Sequence, residues 1–109
     1  MDKEILMTKF VLAYRGGSVP ETKEAQDAVM NAWMGWFGQL GAAIVDGGAP
    51  FGPSATIASG GSSTPGGASA LTGYSIVEAA DLTAATEMGK GCPVLTDGGS
   101  VEVYESMPM

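Results

Sequence analysis

Asp46 is the carboxylate best placed to do chemistry in this chain of 109 residues: it ends the apolar run "AAIV" and stands directly before Gly47 and Gly48. A carboxylate in that position has two uses. It can accept hydrogen bonds from the backbone N–H groups of residues 47 and 48 and shape a turn. Alternatively it can act as an acid or base in a pocket, its pKa raised by burial. The other polar groups able to reach a cavity stand on strand-like stretches: Tyr14, Arg15, Tyr74 and Tyr104. Trp33, grouped with Trp36 and Phe37, reads first as core packing and second as an aromatic wall for a planar ligand. The ligand-binding candidates are therefore Tyr14, Arg15, Trp33, Asp46, Tyr74 and Tyr104, with Asp46 the single catalytic candidate.

The residue inventory narrows the chemistry. With no histidine and one cysteine, no familiar zinc, haem-imidazole or Ser-His-Asp site can be assembled, and neither metal nor cofactor is expected. Cys92 precedes Pro93 at a predicted helix end, where the partial negative charge disfavours a thiolate; it reads as a small buried hydrophobe. The acids of "ETKE" and "EVYE" read as solvated surface, and "GGSSTPGG" lacks the lysine and flanking elements of a phosphate loop. A net charge of −7 and a pI near 4.2 repel phosphate backbones and anionic membrane surfaces. The start "MDKEILMTKF" lacks the pattern of a signal peptide, and no run approaches the ~20 apolar residues of a membrane span. The expectation is a soluble cytoplasmic protein with neither a nucleic-acid nor a membrane role.

Several elements must position these groups. Residues 1–6 read as a flexible extension, or else Met7 as a second translation start, and the domain as residues 7–109. "TKFVLAYR" reads as a strand, and its centre, Phe10 to Tyr14, carries apolar character on both faces. Ala25, Ala28, Val29, Ala32, Trp33, Trp36, Phe37 and Leu40 recur at helical spacing. Ser18 and Glu21 have capping-box spacing, Pro20 suits a first turn, and Gly41 suits the helix end. Gly35 and Gly38 inside the helix predict close approach of another backbone, or else of a ligand. "AAIVDGG" is a second strand ended by its double glycine, "SATIAS" looks extended, and "GGSSTPGG" reads as flexible. "TGYSIVEA" is the next strand, "ADLTAATEMGKG" a helix capped by Asp81 and stopped by Gly91, and "SVEVYES" the last strand.

The order β-α-β-(β)-β-α-β predicts an α+β ferredoxin-like sandwich with an antiparallel sheet. Two helices cover only one sheet face. With 45% hydrophobic and 16% charged residues, the other face is expected to meet a second copy of the same sheet, giving a homodimer.

"MTKFVLAYRGG", "AWMGWFGQLGAAIVDGG", "LTGYSIVEAADLTAATEMGKGCPVL" and "GGSVEVYE" together resemble the blocks of the YCII-related family, close to its DGPF-type branch. The resemblance implies a dimeric α/β-barrel of two opposed sheets, in small bacterial proteins largely without an assigned activity. The chain lacks the "DGPF" signature itself, and without histidine it cannot hold the His-Asp pair suggested as an active site in some members. Two functions follow as expectations. One is a dimeric module that binds a small apolar or aromatic molecule. The other is a cofactor-free enzyme, an isomerase, lyase or monooxygenase-like protein, using Asp46 with a tyrosine or Arg15.

Overall fold

The computed structural model describes residues 7–17, 20–67 and 70–107; the expected extension at 1–6 lies outside them. The chain runs β1 (Thr8–Arg15), α1 (Lys23–Leu40), a 3-10 turn (Gly41–Ala43), β2 (Ile44–Pro50), β3 (Ala55–Ile57) and β4 (Ser63–Pro65). It continues through β5 (Leu71–Ala79), α2 (Leu82–Gly89), a second 3-10 turn (Pro93–Asp97) and β6 (Ser100–Glu105). Strands β2, β5, β1 and β6 form one antiparallel sheet in that order. This is the expected ferredoxin-like α+β sandwich.

The apolar run of β1 lies inside the sheet, between β5 and β6, where both edges are hydrogen-bonded and side chains on either face are shielded by those of the neighbouring strands. Phe10, Leu12 and Tyr14 point to the helix side and pair across with Val77, Ser75 and Gly73 of β5. With Trp36, Ala85, Cys92 and Val94 these side chains form the core, and Leu12 and Val77 have no exposed surface. Burying a side chain of this size stabilises the fold by about 1.5–3 kcal/mol. No helix among the described residues is long and apolar enough to cross a membrane.

Helix α1 departs from its expected details. Thr22 is the N-cap, its hydroxyl accepting from the Ala25 N–H at 3.1 Å. Pro20 lies outside the helix, where its carbonyl accepts from the Gln26 side chain, and Ser18 lies outside the described residues. Only the C-terminal half of the apolar stripe packs on the sheet: Trp36 is buried and Trp33, Phe37 and Leu40 are half-buried, while Ala28, Val29 and Ala32 are exposed. Gly35 and Gly38 have nothing within 4 Å of the place a Cβ would take. No backbone approaches them, contrary to expectation, because they lie on the side of the helix turned away from the sheet.

Two further expectations are corrected. Gly47 and Gly48 do not end β2; the strand continues through them to Pro50 by way of irregularities after Ile44 and after Asp46. Gly48, at φ 77°, allows this, since a Cβ there would lie 1.7 Å from the Tyr74 carbonyl oxygen. The segment read as flexible instead supplies β4, which pairs with β3 from Ala55–Pro65 to Ile57–Ser63 in a small exposed hairpin. Asp81 caps α2 as expected, accepting from the Ala84 N–H at 2.8 Å, but the helix ends at Gly89, two residues before Gly91.

Candidate functional site

The open face of the sheet collects four of the six candidate residues. Alternation along β1 sends Val11, Ala13 and Arg15 to the side opposite the helices. Register then builds rows across the sheet: Asp46, Ile76, Val11 and Tyr104 in one, and Ala49, Tyr74, Ala13 and Glu102 in the next. The apolar floor is Val11, Ala13 and Ile76. Polar groups flank it on both sides.

On the β2 side, Asp46 uses both carboxylate oxygens. Oδ1 accepts from the Gly48 N–H at 2.8 Å, the turn contact its position suggested, and Oδ2 accepts from the Tyr74 hydroxyl at 3.3 Å. Phe51 stacks on the Tyr74 ring with centroids 5.7 Å apart. Beyond Phe51 an open groove of about 440 Å³ continues along Pro53, Ala55, Ala70 and Leu71.

On the β6 side, the Arg15 guanidinium donates to Glu102 from Nε at 3.1 Å and lies 3.0 Å from the same carboxylate through Nη2. The Tyr104 hydroxyl donates to that carboxylate at 3.0 Å. Arg15 first, and Tyr104 after it, hold the Glu102 carboxyl below its ordinary pKa. Tyr104 is half-exposed, so this cluster borders solvent.

Tyr14 and Trp33 lie elsewhere. Tyr14 is buried on the helix side, with Trp33 edge-on to its ring at 5.1 Å. Its hydroxyl donates to Ser75 Oγ at 2.7 Å, and Ser75 in turn donates to the Gly47 carbonyl at 2.7 Å. Burial raises the Tyr14 pKa well above its ordinary value. The pair is a support: it ties the core to the turn that carries Asp46. Cys92 is likewise buried, and desolvation pushes its thiol up to about 11.

Sequence reasoning missed three residues of this face. Glu102 stands two positions before Tyr104 on an alternating strand, so parity alone places it beside Tyr104 on the same face. Ile76 follows from Tyr74 by the same rule. Phe51 had no such signal, because it lies among Gly and Pro residues with no periodicity. Among the described residues, no three Cys, Asp or Glu side chains are grouped as metal ligands would be.

No family model matches the chain. No curated protein matches it either.

Proposed function

We propose that the chain is a small YCII-like module of bacterial cytoplasm that forms a homodimer through its open sheet face and holds a small aromatic or apolar molecule there. One observation carries this reading. Three apolar side chains form a floor between two tyrosine-bearing polar clusters, Asp46–Tyr74 and Arg15–Glu102–Tyr104. Such a mixture of flat apolar area and a few fixed polar groups suits a small organic ligand. A second sheet laid over it would remove the remaining water. The stacked Phe51–Tyr74 pair adds an aromatic wall.

A cofactor-free enzyme is the second reading, favoured by the hydrogen bond between Asp46 and Tyr74. In it the Asp46 carboxylate takes a proton and the Tyr74 hydroxyl steadies the resulting anion. Arg15 is on the far side of the floor, held by Glu102, and would act on the other end of a bound molecule.

Sedimentation tests the assembly and fluorescence titration with 2-naphthol tests the site. The wild type should sediment as a multiple of its 11.0 kDa chain, with Ile76→Glu reducing that mass twofold. It should bind 2-naphthol, and Tyr74→Ala should weaken binding at least tenfold, about 1.4 kcal/mol. An Ile76→Glu protein of unchanged mass would sink the face-to-face dimer. Absent 2-naphthol binding, or equal affinity in Tyr74→Ala, would sink the ligand site.

A further inference from the structure

The two edges of the sheet are protected very differently. Edge strand β2 is interrupted after Ile44 and after Asp46, contains Gly47 and Gly48, and ends at Pro50, which has no N–H to offer. Bulges, glycine and proline are the usual devices that stop an edge from pairing with another chain. Edge strand β6 has none of these three and carries only the charges of Glu102 and Glu105: "SVEVYE" pairs with β1 without irregularity from Ser100 to Glu105.

Its outward-facing hydrogen-bonding groups follow from the ladder with β1. The Ser106 N–H donates to the Lys9 carbonyl at 2.9 Å, which makes Lys9–Ser106 a hydrogen-bonded pair of the antiparallel ladder. Such pairs alternate, so the backbone groups of Tyr104 and Glu102 also face β1, while those of Val101, Val103 and Glu105 face outward. On the helix side of this edge, a groove of about 200 Å³ runs between α2 and β6, lined by Thr86, Gly89, Lys90, Leu95, Val101 and Val103. Gly89 lets the two elements approach: a Cβ there would lie 3.6 Å from Val101 and 3.8 Å from Val103.

We propose that β6 pairs antiparallel with β6 of a second copy, about a twofold axis through Val103, joining two sheets edge to edge. This contact is separate from the face-to-face one. In that register Val103 meets the partner's Val103 and Val101 meets the partner's Glu105, so every outward amide and carbonyl finds a partner. Glu102 falls opposite the partner's Tyr104. Moving the axis to residue 102 would oppose two Glu102 carboxylates, and moving it to Tyr104 would leave Val101 unpaired; both lose ladder bonds. The helix-side position of the partner's Glu105, beside Val101, brings its carboxylate to the groove that Lys90 lines, where the exposed Lys90 ammonium also pairs with Glu87 at 2.6 Å. The register that keeps the most ladder bonds thus also brings opposite charges together at this groove.

Sedimentation of the full chain tests this, with Val103→Pro removing one outward N–H but no bond to β1. Its mass should be half that of the wild type, whether the wild type is a tetramer built from both contacts or a dimer built from this one. Equal masses for a folded Val103→Pro and the wild type would overturn the proposal. A charge swap provides a second measurement should Val103→Pro fail to fold. Lys90→Glu and Glu105→Lys should each weaken association at least tenfold, and the double variant should restore it, because within one chain residues 101 and 105 are separated by about 13 Å of extended strand. Failure of the double variant to recover the wild-type mass would equally overturn it. Ile76→Glu acts only on the sheet face, so failure of the face-to-face reading remains distinguishable from failure of this one.

Discussion

On β1, neighbouring residues meet opposite fates. Phe10, Leu12 and Tyr14 are at most 5% exposed beneath the helices, whereas Val11 and Arg15 stay half-buried on the open side. The helix face is built from size: Phe10, Trp36 and Val77 belong to one core cluster, and its polar groups are hydrogen-bonded, Tyr14 to Ser75, Ser75 to the Gly47 carbonyl and the Trp36 indole to the Met88 carbonyl. The open face is built from small apolar groups framed by charge. Ala13 is 2% exposed even without a partner, because the side chains around it stand taller than its methyl group. A strand apolar on both sides therefore does not require a bare greasy face; its neighbours β5 and β6 supply the polar frame. What the open face retains is a row of small apolar groups between two hydrogen-bonded polar clusters.

Truncation on either side of β1 should separate the faces most sharply. Leu12→Ala removes a side chain with no exposed surface and should cost about 2–5 kcal/mol at any protein concentration. Val11→Ala should cost less, and its cost should grow with concentration, because a contact between copies adds stability by mass action. Urea midpoints for both variants at two concentrations decide the matter. A Val11→Ala cost that does not vary with concentration would break the link between this face and the proposed dimer.

A smaller effect is expected at Ser75. Ser75→Ala leaves the buried Tyr14 hydroxyl without its acceptor and the Gly47 carbonyl without its donor, at a cost of about 1–3 kcal/mol. The same region should respond to alkali. Burial raises Tyr14 above 10.0 and Cys92 from 9.0 to about 11. Both folded-state values lie above the unfolded ones, so the stability they contribute is complete below pH 9.0 and is lost as pH rises through the raised values. Tyr14→Phe should flatten the upper part of that decline in the urea midpoint, and an unchanged profile would mean that Tyr14 does not report on unfolding.

Much of this was legible in the sequence wherever one rule governed a segment. Alternation and helical spacing located β1, β5, β6 and both helices, and with them the order of the sandwich. Legibility failed where two rules competed. Gly47 and Gly48 signal a strand end by composition, but the hydrogen bonds of β5 carry β2 past them. "SSTP" lacks strand propensity, yet it pairs with "ATI" because a turn at Gly60 and Gly61, both at φ 100°, brings the two together. Of the site, Asp46 and the exposed tyrosines were visible as isolated polar groups in apolar runs. Their grouping was not, since it depends on the register between β1, β5 and β6.

The smallest expected effect is the most informative about Asp46. Its Oδ1 holds the Gly48 N–H and its Oδ2 receives the Tyr74 hydroxyl, so the residue serves the turn and faces the floor at once. Asp46→Asn keeps an oxygen for Gly48 and replaces the other with an amide nitrogen that can donate to the Tyr74 oxygen, preserving the turn while removing the charge. Stability should change by less than about 0.5 kcal/mol, as for substitutions that leave packing and burial intact. If Asp46 only shapes the turn, 2-naphthol affinity should be unchanged as well. If the carboxylate orders Tyr74 toward the ligand, affinity should fall at least tenfold, with Tyr74→Phe falling to a similar level and the double variant no further, because the two groups then act as one unit. Additive losses in the double variant would show that the tyrosine and the carboxylate work independently, and would separate the turn at Gly48 from the chemistry of the face.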